Sequence, residues 1–298
     1  MKKILITGIN GFIGDYIKDS FDKNKFEIWG LDRKNSFKNT RSINLLNKTE
    51  CIKLAKKLPE FDIIIHAASI AHSKIDNQTI FKQNLNITKN VIDFFSTKRT
   101  HFVFLSSVSV YGEDKRKKPI TVRDSTRPFS YYGKSKLKCE ETILKFSSNC
   151  DILRLCPVYG AHHLSDIKKR VIFPMQSFFK MCIVPSPRYS FCNIALISLT
   201  IETLVKRGPM NQNIYNICDT NSYSQKEIAS YFKNYKIILP EILFKPFYYL
   251  TFILGFKKGY KLRCLYWKLF KSNEYVCNFQ NGQPNNEMSL FKFLNINK

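Results

Sequence analysis

Residues 7–14 read TGINGFIG, with Gly8, Gly11 and Gly14 set directly behind the short apolar run KKILIT of residues 2–7. A strand that ends in such a turn and passes into a helix makes a cradle for phosphate. Glycines there permit a tight turn, close backbone approach to a pyrophosphate and close helix–strand packing, while the helix N-terminus offers free N–H groups. Asn10, Phe12 and Ile13 sit in the same turn and become candidate dinucleotide contacts with the glycines. Residues 12–23 have helical spacing, with Phe12, Ile13, Tyr16, Ile17 and Phe21 apolar. FEIWGLD (26–32) reads as a second strand that ends on Asp32. That acid stands roughly 20 residues beyond the turn, where a carboxylate accepts hydrogen bonds from the adenosine ribose. Arg33 lies next to it and suits a 2′-phosphate, so both NAD and NADP stay open.

Working outward, strand-like and helix-like segments alternate. CIKLAKKL (51–58) is amphipathic, FDIIIHAA (61–68) is a strand of the doubly buried kind, and LNITKNVIDFF (85–95) is helical. HFVFLSS (101–107) is a further strand, 131–146 a further helix, and DILRLC (151–156) closes the series. Such alternation predicts parallel βαβ units and an α/β fold, a Rossmann-type doubly wound sheet with its ligand loops gathered at one edge. After residue 160 prolines break the chain into short pieces. NIYNICD (213–219) reads as one more strand returning to the sheet, and Ser224 as a helix cap. The expected division is a dinucleotide domain over 1–160 and a smaller mixed α/β substrate lobe over 161–298.

The chain's 298 residues are 44% hydrophobic, enough for a real core and too many for a disordered chain. Its formal net charge is +25, which favours anionic partners such as phosphorylated small molecules, nucleic acid or acidic membrane. The lysines are scattered, and the longest basic run, KRKK (115–118), reads as a solvated loop; no nucleic-acid partner is expected. Nine cysteines without a C-x-x-C pair suggest neither a zinc site nor a disulfide framework, and fit reduced thiols in a cytoplasmic protein with no metal. The apolar start is cut short by Thr7, Gly8 and Asn10, so it reads as a strand and not a signal peptide. FKPFYYLTFILGF (244–256) is shorter than the ~20 residues a bilayer span needs. It reads as a buried helix, with peripheral docking on a membrane as the alternative.

Residues 130–136, SYYGKSK, hold two tyrosine–lysine pairs at helical spacing: Tyr131 with Lys134 and Tyr132 with Lys136. The series of motifs resembles the extended short-chain dehydrogenase/reductase family, the group that contains NAD-dependent sugar-nucleotide epimerases and dehydratases. TGINGFIG matches its glycine turn. INLLN (43–47) falls at its adenine-contacting pair, with Asn44 in place of an acid and Leu45 after it. HAAS (66–69) matches the small residues lining the cofactor, giving His66, Ala67 and Ala68, and QNLNITKNVI, with Asn84, matches the following helix. FLSSVSVYG (104–112) carries the family's catalytic serine as Ser107, and RLCPVYG (154–160) the strand leading to the substrate lobe.

The family's Tyr-x-x-x-Lys pair selects Tyr132 and Lys136, since Tyr131 has Ser135 at that offset. A free phenol titrates near 10, and a close ammonium is expected to bring that down and make Tyr132 a base. Lys136 would also hold the nicotinamide ribose, and Ser107 the reacting sugar oxygen, with Ser109 and Arg188 as further substrate contacts. The dehydratases of this family carry an acid just after the catalytic serine, where this chain has Val108 and Ser109.

The resemblance therefore implies an NAD-dependent nucleotide-sugar epimerase. The expected reaction is C4 epimerisation of a UDP-hexose or UDP-N-acetylhexosamine through a 4-keto sugar. An NAD(P)H-dependent 4-keto-sugar reductase and a non-catalytic RNA-binding relative are the alternatives. HAASIAH with FVFLSSV is similar to a surface-polysaccharide subgroup holding both enzymes, in which His72 faces either substrate or solvent. The family further implies a homodimer through helices 85–95 and 131–146. Pro157, and Cys192-Asn193 before Ile194-Ala195-Leu196, depart from its usual substrate-lobe residues.

Overall fold

A computed structural model describes the chain apart from residues 71–76, 113–118, 161–162, 174–177, 254–255, 280–289, 292–293 and 295–298. His72 and the KRKK run lie outside the described residues. The first half contains β1 (Lys2–Thr7), α1 (Phe12–Lys18), β2 (Phe26–Asp32), β3 (Thr40–Ser42), α2 (Lys48–Ala55) and β4 (Ile63–His66). It continues through α3 (Gln78–Phe95), β5 (His101–Ser107), a 3₁₀ turn (Val108–Tyr111), α4 (Tyr131–Phe146) and β6 (Cys150–Leu155). Beyond it come β7 (Val158–Tyr159), α5 (Ser165–Val171), β8 (Phe179–Val184), β9 (Arg188–Tyr189), β10 (Cys192–Asn193) and α6 (Ile194–Arg207). The chain then forms β11 (Asn213–Ile217), β12 (Tyr223–Ser224), α7 (Gln225–Ser230), β13 (Tyr235–Pro240), α8 (Glu241–Leu250) and α9 (Phe256–Phe270).

Seven strands form one parallel sheet in the order β11-β6-β5-β4-β1-β2-β3. The order reverses between β1 and β4, so the crevice above their C-terminal ends is the switch point where this architecture binds ligands. Strand sequences explain the layering. Ile4, Ile6, Ile65, Val103, Leu105 and Leu153 face α1 and α6, while Leu5, Ile64, Phe102, Phe104 and Ile152 face α2, α3 and α4. A period of two with both faces apolar is the pattern of a sheet covered on both sides. Although α6 lies in the stretch assigned to the second lobe, its Leu196, Ile197, Ile201 and Leu204 pack on the first.

The second lobe has its own core of Tyr159, Ile167, Val171, Tyr189, Phe191, Tyr223 and Ile228. Ser224 caps α7 with a reciprocal bond to Glu227, which fixes where that helix starts. The expectation of a buried helix over 244–256 needs correction. Phe244 and Tyr248 pack against Tyr266, Trp267 and Phe270 of α9, yet Leu243, Phe247, Leu250 and Ile253 point to solvent. Every position on α8 but Glu241, Lys245 and Pro246 is apolar or aromatic, whereas among the described residues α9 and the end of β13 cover one side of it.

Candidate active site

Gly8 turns the chain after β1 at φ +70°, a region that favours glycine. A Cβ there would stand 2.9 Å from the Ala68 backbone, so the loops after β1 and β4 meet across the switch point. Gly11 caps α1 without a side-chain bond and Gly14 is buried in its first turn. The N–H groups of that turn, those of Phe12 and Ile13 among them, have no intrahelical acceptor. Phe12 stacks on His163 with ring centroids 4.4 Å apart, tying the glycine turn to the second lobe.

Asp32 ends β2 at the rim of the same turn. Its carboxylate accepts from the N–H of Asn10 (3.0 Å) and of Arg33 (2.7 Å), while the Asn10 amide donates to the Lys34 carbonyl. Ile43 N–H donates to the Asp32 carbonyl (2.7 Å), which brings Asn44 alongside. The Asn44 amide oxygen accepts from Leu46 N–H, and Leu45 is buried with its carbonyl bound to Asn90. Arg33 is exposed.

Two residues expected at the cofactor, His66 and Asn84, have side chains engaged by protein groups. His66 is fully buried, with Nδ1 2.7 Å from the Thr7 hydroxyl and Nε2 3.0 Å from that of Thr88. Burial, with Lys136 nearby, pushes its pKa down to about 3, so the ring is a neutral strut. Asn84 holds both the N–H and the carbonyl of Ile70 and donates to Ser135 (3.0 Å), which locks the loop after β4 onto α3 and α4.

Ser107, Tyr132 and Lys136 do come together. Ser107 ends β5 and caps the 3₁₀ turn; its oxygen accepts from Ser109 N–H (3.2 Å) and Ser109 O–H (3.0 Å). The Tyr132 phenol is its other hydrogen-bonding neighbour. Ser130 caps α4 by accepting from Gly133 N–H (3.0 Å). A Cβ on Gly133 would sit 2.6 Å from the Ser109 carbonyl. That glycine is what lets α4 start flush against the serine turn.

Lys136 is buried on the next turn of α4, its Nζ donating to the Leu105 carbonyl (2.7 Å) and lying 5.8 Å from the Tyr132 ring centroid. Burial brings its pKa down to about 8. The Tyr132 phenol moves the other way. Burial pushes it up to about 12, against the pull of Ser69 and Ser107. The expected lowering of the tyrosine by its lysine is therefore corrected: the ammonium stands over the ring face, and desolvation wins.

Sequence reading missed Ser69, whose buried hydroxyl approaches the phenol without completing a hydrogen bond. Its signal was its place in HAAS. Arg188 is not brought to this group. Its guanidinium is held by the Ser222 hydroxyl (2.9 Å) and carbonyl and by Glu274 (3.4 Å). Among the described residues no group of three or more His, Cys, Asp or Glu side chains is placed to hold a metal ion.

Residues 4–179, more than half of the chain, match the model of the NAD dependent epimerase/dehydratase family. The chain belongs to that family. Of solved structures, the UDP-Glc/GlcNAc 4-epimerase of Campylobacter jejuni superposes with a TM-score of 0.67 at 18% identity, over 99% of this chain and 100% of that one. The ADP-L-glycero-D-manno-heptose-6-epimerase of Helicobacter pylori does so at 0.64 and 22%, over 80% of this chain and 85% of that one. At these identities the likeness is one of fold. Among curated proteins, the methionine adenosyltransferase 2 subunit beta of Pongo abelii is 23% identical over 53% of this chain and 48% of its own length. UDP-arabinose 4-epimerase 1 of Arabidopsis thaliana is 34% identical over 34% of this chain and 26% of its own. The chain thus spans about half the length of the first and about a quarter of the second.

The epimerase/dehydratase family is NAD-dependent, and the residues present fit a dinucleotide. The turn leaves no room for a side chain where Gly8 meets Ala68, and Asp32 is fixed at its rim. Ser69 keeps buried hydrogen-bonding capacity at the inner end.

Proposed function

We propose that the chain is a nucleotide-sugar epimerase acting at C4 of a UDP-hexose or UDP-N-acetylhexosamine, with NAD lying across the crevice between β1 and β4. The observation that carries this reading is the grouping of Ser107, Tyr132 and Lys136 beside the glycine turn. NAD, when bound, supplies reversible hydride transfer at the sugar carbon. Tyr132 takes the proton of the C4 hydroxyl as the 4-keto sugar forms and returns it to the other epimer. Ser107, its oxygen already accepting from Ser109, donates to the oxygen that changes charge. Lys136 keeps a positive charge beneath the tyrosine and, with its Nζ anchored on Leu105, fixes the ring against the cofactor.

Nothing acidic follows Ser107, so water loss has no dedicated acid at that position. The Campylobacter jejuni 4-epimerase, matched end to end in fold, supports the same substrate class. We place a homodimer contact on α3 and α4, which pack side by side, and a role in surface polysaccharide assembly. Arg33, exposed beside Asp32, favours one second reading: an NADPH-dependent reductase of 4-keto sugars.

Incubation of the protein with UDP-glucose or UDP-N-acetylglucosamine, followed by proton NMR, tests the reaction. The C4 epimer should form without added cofactor, and Tyr132→Phe should abolish it. Undiminished turnover by that variant contradicts the proposed role of Tyr132. Consumption of a 4-keto sugar only with added NADPH would instead assign the reductase.

A further inference from the structure

Among the described residues, the densest run of exposed apolar side chains lies on α8 and the turn that follows it. Seven large side chains within residues 242–253 (Ile242, Leu243, Phe247, Tyr249, Leu250, Phe252 and Ile253) are 53–81% exposed. The helix is not loosely attached. Glu241 is buried and accepts from the Tyr266 hydroxyl (2.8 Å) and from Lys271, while Phe244 and Tyr248 pack on Phe270 and Tyr266. Arg263 donates to the Thr251 carbonyl (2.9 Å) and lays its guanidinium over the Phe252 ring. The apolar face is therefore displayed on a fixed support. Soluble monomers rarely leave a contiguous apolar patch beyond a few hundred Å² in water, so something covers this one.

Charge identifies the cover. Residues 233–271 carry nine lysines and arginines and a single acid, Glu241. That acid is already neutralised inside the lobe by Lys271. A second copy of the chain would bring this positive surface against its own like. Aliphatic and aromatic side chains outward, with Lys245 exposed on the same helix in a basic stretch of sequence, match the interface of an anionic bilayer. Apolar groups there enter the acyl boundary while ammonium groups stay with the phosphates. The ten residues of α8 span about 15 Å, and among the described residues no helix is long and apolar enough to cross a membrane.

We propose that α8 and the turn at 251–253 dock the protein on an anionic lipid bilayer, the helix lying in the plane of the interface. The inference stands apart from the reaction assigned above and holds whichever sugar is turned over.

The test is flotation of the full chain with vesicles of phosphatidylcholine alone and with about a quarter phosphatidylglycerol. Binding should be at least about tenfold tighter to the anionic vesicles and should weaken as salt rises from about 50 to about 500 mM. The double variant Phe247→Glu/Ile253→Glu should lose about tenfold or more while keeping the wild-type melting temperature. Ile242→Ser/Leu243→Ser, a milder pair, should lose less. Absence of binding to both vesicles overturns the proposal, as does equal binding by the Phe247→Glu/Ile253→Glu variant. A wild-type dimer that this variant dissociates, without vesicle binding, would assign the face to a second copy.

Discussion

Two tyrosines beside a cation, Tyr111 at the end of the 3₁₀ turn and Tyr132 at the start of α4, are put to different uses. Tyr111 is fully buried. It donates to the Asn216 side chain (2.6 Å) and accepts from Arg154 (3.0 Å), which is itself paired with Glu140 (2.7 Å). Ser106 closes that network by donating to Glu140. Tyr132 is only half-buried, its lysine is anchored to a backbone carbonyl and not to the phenol, and the hydroxyls of Ser69 and Ser107 approach its oxygen. One cluster meets its own charge and hydrogen-bonding needs. The other leaves a phenol whose proton can be exchanged with something bound in the crevice. Residue type did not separate them; the completeness of the surrounding network did.

The largest expected difference between the two comes from one deletion in each. Tyr132→Phe should lower kcat by about a thousandfold, within the range of general acid–base contributions, while the protein keeps its dinucleotide. Tyr111→Phe should leave turnover within a few-fold and instead lower stability by about 1–3 kcal/mol, because Arg154 and Asn216 lose a buried partner. Comparable kinetic damage from the two would break the comparison. Next in size, Glu140→Ala strands the buried Arg154 guanidinium and should cost about 3–5 kcal/mol in denaturant unfolding. A loss below about 1 kcal/mol would show that the Arg154 network is not the closed structural unit described.

Ser107→Ala sharpens the contrast through pH. The Ser107 hydroxyl favours the phenolate by donating to it, so its removal raises the Tyr132 pKa further. The rising limb of kcat/KM against pH should move to higher pH, and each pH unit it moves costs about tenfold in rate at neutrality. The rise should also bend over near pH 8, where Lys136 loses its proton. A profile that does not move would exclude Ser107 from the proton path.

The effect confined to acid pH, and absent at neutrality, belongs to His66. Its folded pKa of about 3 lies below the ordinary 6.5, so the unfolded chain takes a proton that the folded one refuses. Its contribution is therefore complete above about pH 6.5 and is lost as pH falls towards 3, by up to about 1.4 kcal/mol per pH unit. Asp219, raised to about 6 by burial, opposes this below that pH. The comparison of wild type with His66→Gln isolates the histidine: the acid-side slope of melting temperature should flatten in the variant.

Much of this was legible in the chain because parallel strands buried on both faces leave continuous apolar runs. FEIWGLD and HFVFLSS coincide with β2 and β5, whereas spacing alone left two tyrosine–lysine pairs and the family resemblance chose Tyr132 with Lys136. β3 (Thr40–Ser42) was not legible, being three residues without an apolar run. The fate of His66 was hidden for a different reason. Its partners Thr7 and Thr88 lie far away in sequence and meet it only once β1, β4 and α3 have packed. The same holds for Phe12 with His163, which joins two lobes. Along 244–256 hydropathy reported how apolar the helix is, but could not report that α9 and the end of β13 cover one side and leave Leu243, Phe247 and Leu250 exposed.

The most direct test of the proposed catalytic cycle is to denature the purified protein and identify the dinucleotide it releases. An epimerase that recovers its cofactor in every turnover should yield close to one NAD per chain, from wild type and Tyr132→Phe alike. A protein that releases none, and binds NADPH when titrated, would contradict the epimerase reading and assign the reductase in its place.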